Sequence, residues 1–273
     1  MTTTDDQATD DRSQADDADL GGEVVLGSAL FTLVEPHRGH EVAYNRWYER
    51  DHFYAGCMVG PWYFAGRRWV ATRELKGQRI TSDSGPLFGD DQLGTYLATY
   101  WVLKDRFEEN VDWSVRQVHW LHRNGRMFAE RDHIHTLLYM YGGAESRDAD
   151  GVPPELALDH PYRGLGAVLV ERTGSDAPPR PTAALADGSP VALVLSFSAV
   201  PLPADAPVTQ PGTEGLETRE LQLWFADDEP DAWWSQARAY ADEVASSGAG
   251  VVRWASPFVP TIPGTDTYTD QLR

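Results

Sequence analysis

The order in which hydrophobic periodicities follow one another limits this chain more than any other feature. Residues 24–34 (VVLGSALFTLV) form an apolar run of β type. Residues 40–55 then place Val42, Ala43, Trp47, Tyr48 and Phe53 at helical spacing. Residues 62–75, rich in aromatic and β-branched side chains, read as a strand, residues 76–92 as a loop, and residues 95–103 as another strand. Asp105 is the expected N-cap of the next helix, with Glu108 three residues on to complete a capping box. That helix turns Phe107, Val111, Val115, Val118 and Leu121 toward a core, and Asn124 with Gly125 stops it. Residues 133–141 (HIHTLLYMY) are a fourth strand.

Strand, helix, strand, strand, helix, strand is the split βαβ pattern of a ferredoxin-like sheet. The remainder is a looser copy, with strands at 167–172, 191–200, 220–225 and 251–258. One helix precedes its last strand: Pro230 suits the first turn, Trp233, Ala237, Tyr240 and Val244 form the apolar face, and Gly248 ends it. Residues 173–190 hold too much Pro and Gly for the other helix. The expected organisation is an acidic tail over 1–20, a ferredoxin-like half over 21–142 and a linker over 143–165. A degenerate second half over 166–260 and a tail over 261–273 complete it.

Charge narrows the partners. The chain has 273 residues and a formal charge of −19. Residues 1–20 carry seven Asp and one Arg, with no basic or apolar region of a secretory signal, so a solvating disordered tail is expected there. A net negative surface opposes nucleic-acid backbones and anionic membranes. No apolar run approaches membrane-span length. The single cysteine, Cys57, excludes an internal disulfide framework and reads as a small buried apolar residue. A cytoplasmic monomer or homodimer follows as the expectation.

All eight histidines fall between His37 and His160, so polar chemistry is expected in the first half, with the second half as a wall. On the first helix Tyr44, Tyr48 and His52 stand at i, i+4 and i+8 with Asp51 alongside. Imidazole, phenol and carboxylate together make an acid/base set. Packing is the competing reading, with the aromatic residues in the core and His52 closing the helix end. His133 and His135 alternate on a strand with Tyr139, a geometry used by metal sites, for which His52, His119 or His122 would be the third ligand. No acidic neighbour completes a recognisable metal motif. Arg67 and Arg68 point to opposite faces of a strand, so one of them can clamp a substrate anion among Trp62, Tyr63, Phe64 and Trp69. Trp233 and Trp234 read as packing. The phosphate-binding loop, dinucleotide, serine-hydrolase and zincin motifs are all missing from the sequence.

Residues 45–70 (NRWYERDHFYAGCMVGPWYFAGRRWV) resemble the dimeric α+β barrel superfamily, especially its EthD-like members. Asn45, Trp47, Tyr48 and His52 match an N-x-W-Y-x-x-x-H helix, and Arg67 and Arg68 match the basic, aromatic strand. The turn is Val59, Gly60, Pro61 where the pattern has Val-Pro-Gly. The resemblance implies an α+β fold in which two ferredoxin-like antiparallel sheets pack into a barrel, here within one chain. The superfamily includes muconolactone isomerase, polyketide cyclases, cofactor-free quinol monooxygenases and heme-binding chlorite dismutases.

The leading expectation is a cofactor-independent cyclase, isomerase or lyase acting on an apolar aromatic or polyketide-like substrate. His52 would be the base, Tyr48 the oxyanion donor and Asp51 the orienter. Tyr44, Asn45, Trp47, Trp62, Arg67, Arg68, Trp101, His133, His135 and Tyr139 would line the substrate, with no metal. The alternatives are a cofactor-free or heme-dependent oxygenase or peroxidase-like enzyme, with heme or a His-bound metal, and a non-catalytic binder of an apolar ligand.

Overall fold

The computed structural model describes residues 23–174, 178–201 and 212–273. Residues 1–20, read as a disordered tail, lie outside the described residues. Nine antiparallel strands form one sheet: β1 (Leu26–Pro36), β2 (Tyr63–Val70), β3 (Ile80–Thr81), β4 (Tyr96–Leu103), β5 (Arg131–Ser146), β6 (Gly164–Arg172), β7 (Val191–Val200), β8 (Arg219–Ala226) and β9 (Gly250–Pro260). Their order is β2-β4-β1-β5-β7-β8-β6-β9-β3. Trp69 and Val70 of β2 also pair with Pro260 and Val259 of β9, which closes the eight long strands into a ring. The first four and last four of these strands have the same internal order, so two ferredoxin-like sheets make one α+β barrel.

Helices cover the outside. The first, α1 (Glu41–Trp47), continues without a break through two wide π-helical turns, Tyr48–His52 and Tyr54–Met58. Such widened turns recur at functional sites. This segment presses onto β2 at Gly66, where an added Cβ would sit 2.7 Å from Tyr100 and 2.9 Å from the Met58 sulfur. Two further helices are α2 (Arg73–Gly77), capped by Thr72, and α3 (Phe107–Arg123). In the second half α4 (Trp234–Ser247) ends on Gly248 in the left-handed region. Its Ala237, Tyr240 and Val244 are buried, as the periodicity predicts, and the expected face member Trp233 is buried at the N-cap position, one residue before Trp234 opens the helix. Among the described residues, the position of the other helix holds a short 3-10 turn, Thr182–Leu185.

Three local expectations change. Asp105 has φ +61°, and Arg106 takes the N-cap position with no side-chain cap, so the capping box does not form. The strand read over 62–75 ends at Val70, because Thr72 starts α2. The loop read over 76–92 contains β3.

The barrel interior is solid. Phe31, Trp69, Trp101, Tyr139, Phe197 and Phe225 are fully buried there and meet across the two halves, Trp69 against Phe225 and Trp101 against Phe197. Space for a ligand therefore has to lie between the sheet and its helices. The two halves differ in that layer. Under α4, Trp224, Trp233, Trp234 and Tyr240 fill it. Under α3, Val111, Val115 and Val118 remain half-buried and a cavity opens. No helix among the described residues is long and apolar enough to cross a membrane.

Candidate functional site

A cavity of about 440 Å³ lies between the outer face of β1 and β5, the π-helical turns and α3. Its apolar walls include Leu30, Val34, Val118, Met127 and Phe128, and its polar groups are His52, His133, Arg131, the Thr32–Thr136 pair and, at the rim, His122. The volume falls in the ~300–1,000 Å³ range of small-molecule sites.

His133 reaches this cavity through a bulge in β5. Leu33 pairs with His135 but Val34 pairs with His133, so Ile134 is an extra residue and the alternation reverses. His133 consequently shares the outer face with Val34, while His135 shares the inner face with Leu33. The His-x-His spacing therefore does not bring the two imidazoles together. His135 is buried in the barrel, bonded through Nε2 to the Tyr139 hydroxyl at 2.6 Å and packed against Phe31 and Phe88. No group of three metal-ligating side chains occurs among the described residues.

Two imidazoles of the cavity are held neutral. Burial, with the nearby Arg131 charge adding to it, pushes His52 down to about 3 and His133 down to about 4. His133 Nδ1 lies 2.9 Å from Thr136 Oγ1, which is itself 2.8 Å from Thr32 Oγ1. This hydroxyl chain fixes the ring and leaves Nε2 with no hydrogen bond among the described residues. His52 stacks on Trp47 at 4.5 Å, lies against the backbone of Gly56 and has a buried Nδ1 without a partner among the described residues. An imidazole this hard to protonate keeps one ring nitrogen unprotonated, with its lone pair available, at neutral pH.

The other expected residues are dispersed. Tyr48 borders the cavity, but its hydroxyl is paired with that of Tyr100 at 2.9 Å, and burial raises its pKa well above the ordinary value. Asp51 pairs with Arg126 rather than His52. Both partners are about one-third exposed, so Asp51→Asn should lower stability by less than about 1 kcal/mol, read from a urea midpoint. Tyr44 is packed among Trp47, Tyr48, Tyr96 and Phe128. Asn45 donates to the Thr265 carbonyl, and Trp47 Nε1 to that of Arg126. Trp62 lies under Arg106, and Trp101 and Tyr139 face the barrel interior. Arg67 and Arg68 occupy opposite faces of β2, and neither borders this cavity. His119 is exposed on the flank of α3.

Sequence reasoning missed Arg131, Met127, Phe128, Thr32, Thr136, Ser114 and Val118. Arg131 was recoverable, since it stands two residues before His133 on the same strand.

No family model and no curated protein matches the chain. Solved structures do match in fold. Two variants of DypB from Rhodococcus jostii RHA1, both in complex with heme, superpose with TM-scores of 0.51 and 0.50 at 9% and 8% identity. Each comparison covers 86% of this chain, and 93% and 94% of DypB respectively. A chlorite dismutase from Candidatus Nitrospira defluvii covers 90% of this chain and 94% of its own, at 10% identity and a TM-score of 0.45. The neighbours agree with a dimeric α+β barrel. They also correct the expectation of no cofactor, because DypB carries heme on this fold.

Proposed function

We propose that this chain is a redox enzyme of the oxygenase or peroxidase type, with the first-half cavity as its reaction chamber and heme as the group held there. The observation that carries this reading is the pair of half-buried, neutral imidazoles facing one cavity. The counterpart layer under α4 is filled by Trp224, Trp233, Trp234 and Tyr240, and no histidine follows His160 in the sequence. The residues present fit a heme. His133 is neutral, its Nε2 makes no hydrogen bond among the described residues, and its Nδ1 is oriented by Thr136, the outer-shell support that metal-binding imidazoles use. Arg131 supplies positive charge for acidic side groups, and the apolar walls exclude water. When bound, heme supplies one-electron and oxygen chemistry.

His52 holds its proton on one ring nitrogen and offers the other as an acceptor, so it can steer a hydrogen-bonding ligand without charging. Phe128 and the apolar side chains beside it favour an aromatic or otherwise apolar substrate. Tyr48, paired with Tyr100, acts as a wall in this reading and not as an oxyanion donor. The likeness of residues 45–70 to EthD-like proteins belongs to the same proposal as the nearer sequence relation.

Titrating the full chain with hemin tests this. The expected result is a saturable one-to-one complex with a shifted Soret band. His133→Ala should lose it and regain it with added imidazole, while His52→Ala retains binding. Circular dichroism checks that each variant is folded. Absence of saturable binding by the wild type, or a His133→Ala protein indistinguishable from it, would overturn the reading.

A further inference from the structure

A second cavity, of about 410 Å³, lies on the β2 side of the π-helical turns. Phe53, Leu158, Pro161 and Pro263 give it apolar walls, and Arg68 is among the residues that line it. Tyr48 stands between the two cavities, bordering the first and carrying Arg68 at 4.6 Å above its ring.

Arg68 is only 6% exposed and is incompletely satisfied. Its Nη1 donates to Asn45 Oδ1 at 3.0 Å and, at 3.5 Å, to the Asn45 carbonyl, and Tyr48 and Tyr96 flank it, but Nη2 has no partner among the described residues. No carboxylate lies within ion-pair distance of it among the described residues. Arg79, buried as deeply, donates to the carbonyls of Asp91, Leu93 and Gly94 and to Ser256. Arg67 donates to the carbonyls of Leu158, His160 and Tyr162, so its role is to hold the cavity wall. A buried cation with an open donor and no counter-ion favours an anion beside it.

We propose that this second cavity binds an organic monocarboxylate with an aromatic or aliphatic body, its carboxylate on Arg68 and its body against Phe53, Leu158 and the prolines. Two acids also border the cavity. Glu49 accepts the Gly264 N–H at 3.1 Å and lies 3.8 Å from Arg50, and Asp159 is exposed at the rim. Neither pairs with Arg68, but both lower the positive potential around the cavity, which disfavours a multiply charged phosphate more than a monocarboxylate. The site is independent of whether the first cavity holds heme.

Calorimetric titration of the full chain with benzoate, benzamide and inorganic phosphate tests it. Benzoate should bind one-to-one, with benzamide at least tenfold weaker and phosphate unable to compete. Arg68→Met should lose at least tenfold in benzoate affinity, whereas His133→Ala should keep it. Asp159→Lys, an exposed change that leaves Arg68 intact, should tighten benzoate severalfold at low salt. The proposal fails if the wild type does not bind benzoate, if benzamide binds equally, or if phosphate displaces benzoate. It fails too if the loss appears in His133→Ala instead of a folded Arg68→Met, or if Asp159→Lys leaves the affinity unchanged.

Discussion

Trp101→Ala should lower the unfolding free energy by about 3–5 kcal/mol, the range for deleting a buried aromatic side chain. Trp101 is fully buried inside the barrel, where its ring lies 5.7 Å from that of Phe197 in the second half, and its Nε1 donates to the Pro154 carbonyl at 3.0 Å. Truncation leaves a cavity between the two sheets and strands a carbonyl, which adds roughly 1–3 kcal/mol if no water reaches it. Typical domains have ~5–15 kcal/mol in all, so the variant should unfold near ambient temperature. Because the halves share this interior and join through β5–β7 and β2–β9, one denaturant transition should report both. Far-ultraviolet and tryptophan signals measured against urea would check it. A loss below 1 kcal/mol would mean that Trp101 lines a ligand site and not the shared core.

Acid should unfold the hemin-free protein over an unusually narrow range. His52 and His135 are pushed down to about 3 and His133 to about 4, in each case chiefly by burial. In the unfolded chain each returns to an ordinary value of about 6.5. The unfolded state therefore binds protons first. Stability is complete above about pH 6.5 and falls as the pH drops toward the folded values. Each group contributes about 1.4 kcal/mol per pH unit at most, so the three together cost on the order of 4 kcal/mol per unit between about pH 6 and 4. Two pH units then match the whole stability of an ordinary domain. His135→Phe, set between Phe31 and Phe88, should remove about one-third of that slope. Equal urea midpoints at about pH 7 and 4.5 would refute the account.

Element order was legible because it rests on local periodicity. The α4 face of Ala237, Tyr240 and Val244 is one example, and the short 3-10 turn in place of a helix among the described residues of 173–190 is another. The opposite faces of Arg67 and Arg68 followed from strand alternation. The site was less legible because it depends on one inserted residue. Ile134 reverses the alternation of β5, sending His133 to the cavity and His135 to the core, and nothing in HIHTLL marks the bulge. Asp51 similarly suggested an orienter for the imidazole one residue away, yet its partner is Arg126, 75 positions on. Asp105 looked like a cap by residue type, but the turn after β4 holds it at positive φ.

Closure of the ring within one chain has an evolutionary consequence. In a barrel assembled from two identical chains, every substitution is made twice, so a change that hollows out one helix layer hollows out the other. Here the two layers can diverge separately. Trp233 and Trp234 fill one of them, while the other keeps a cavity bordered by Arg131 and His133, an asymmetry that two identical chains could not encode.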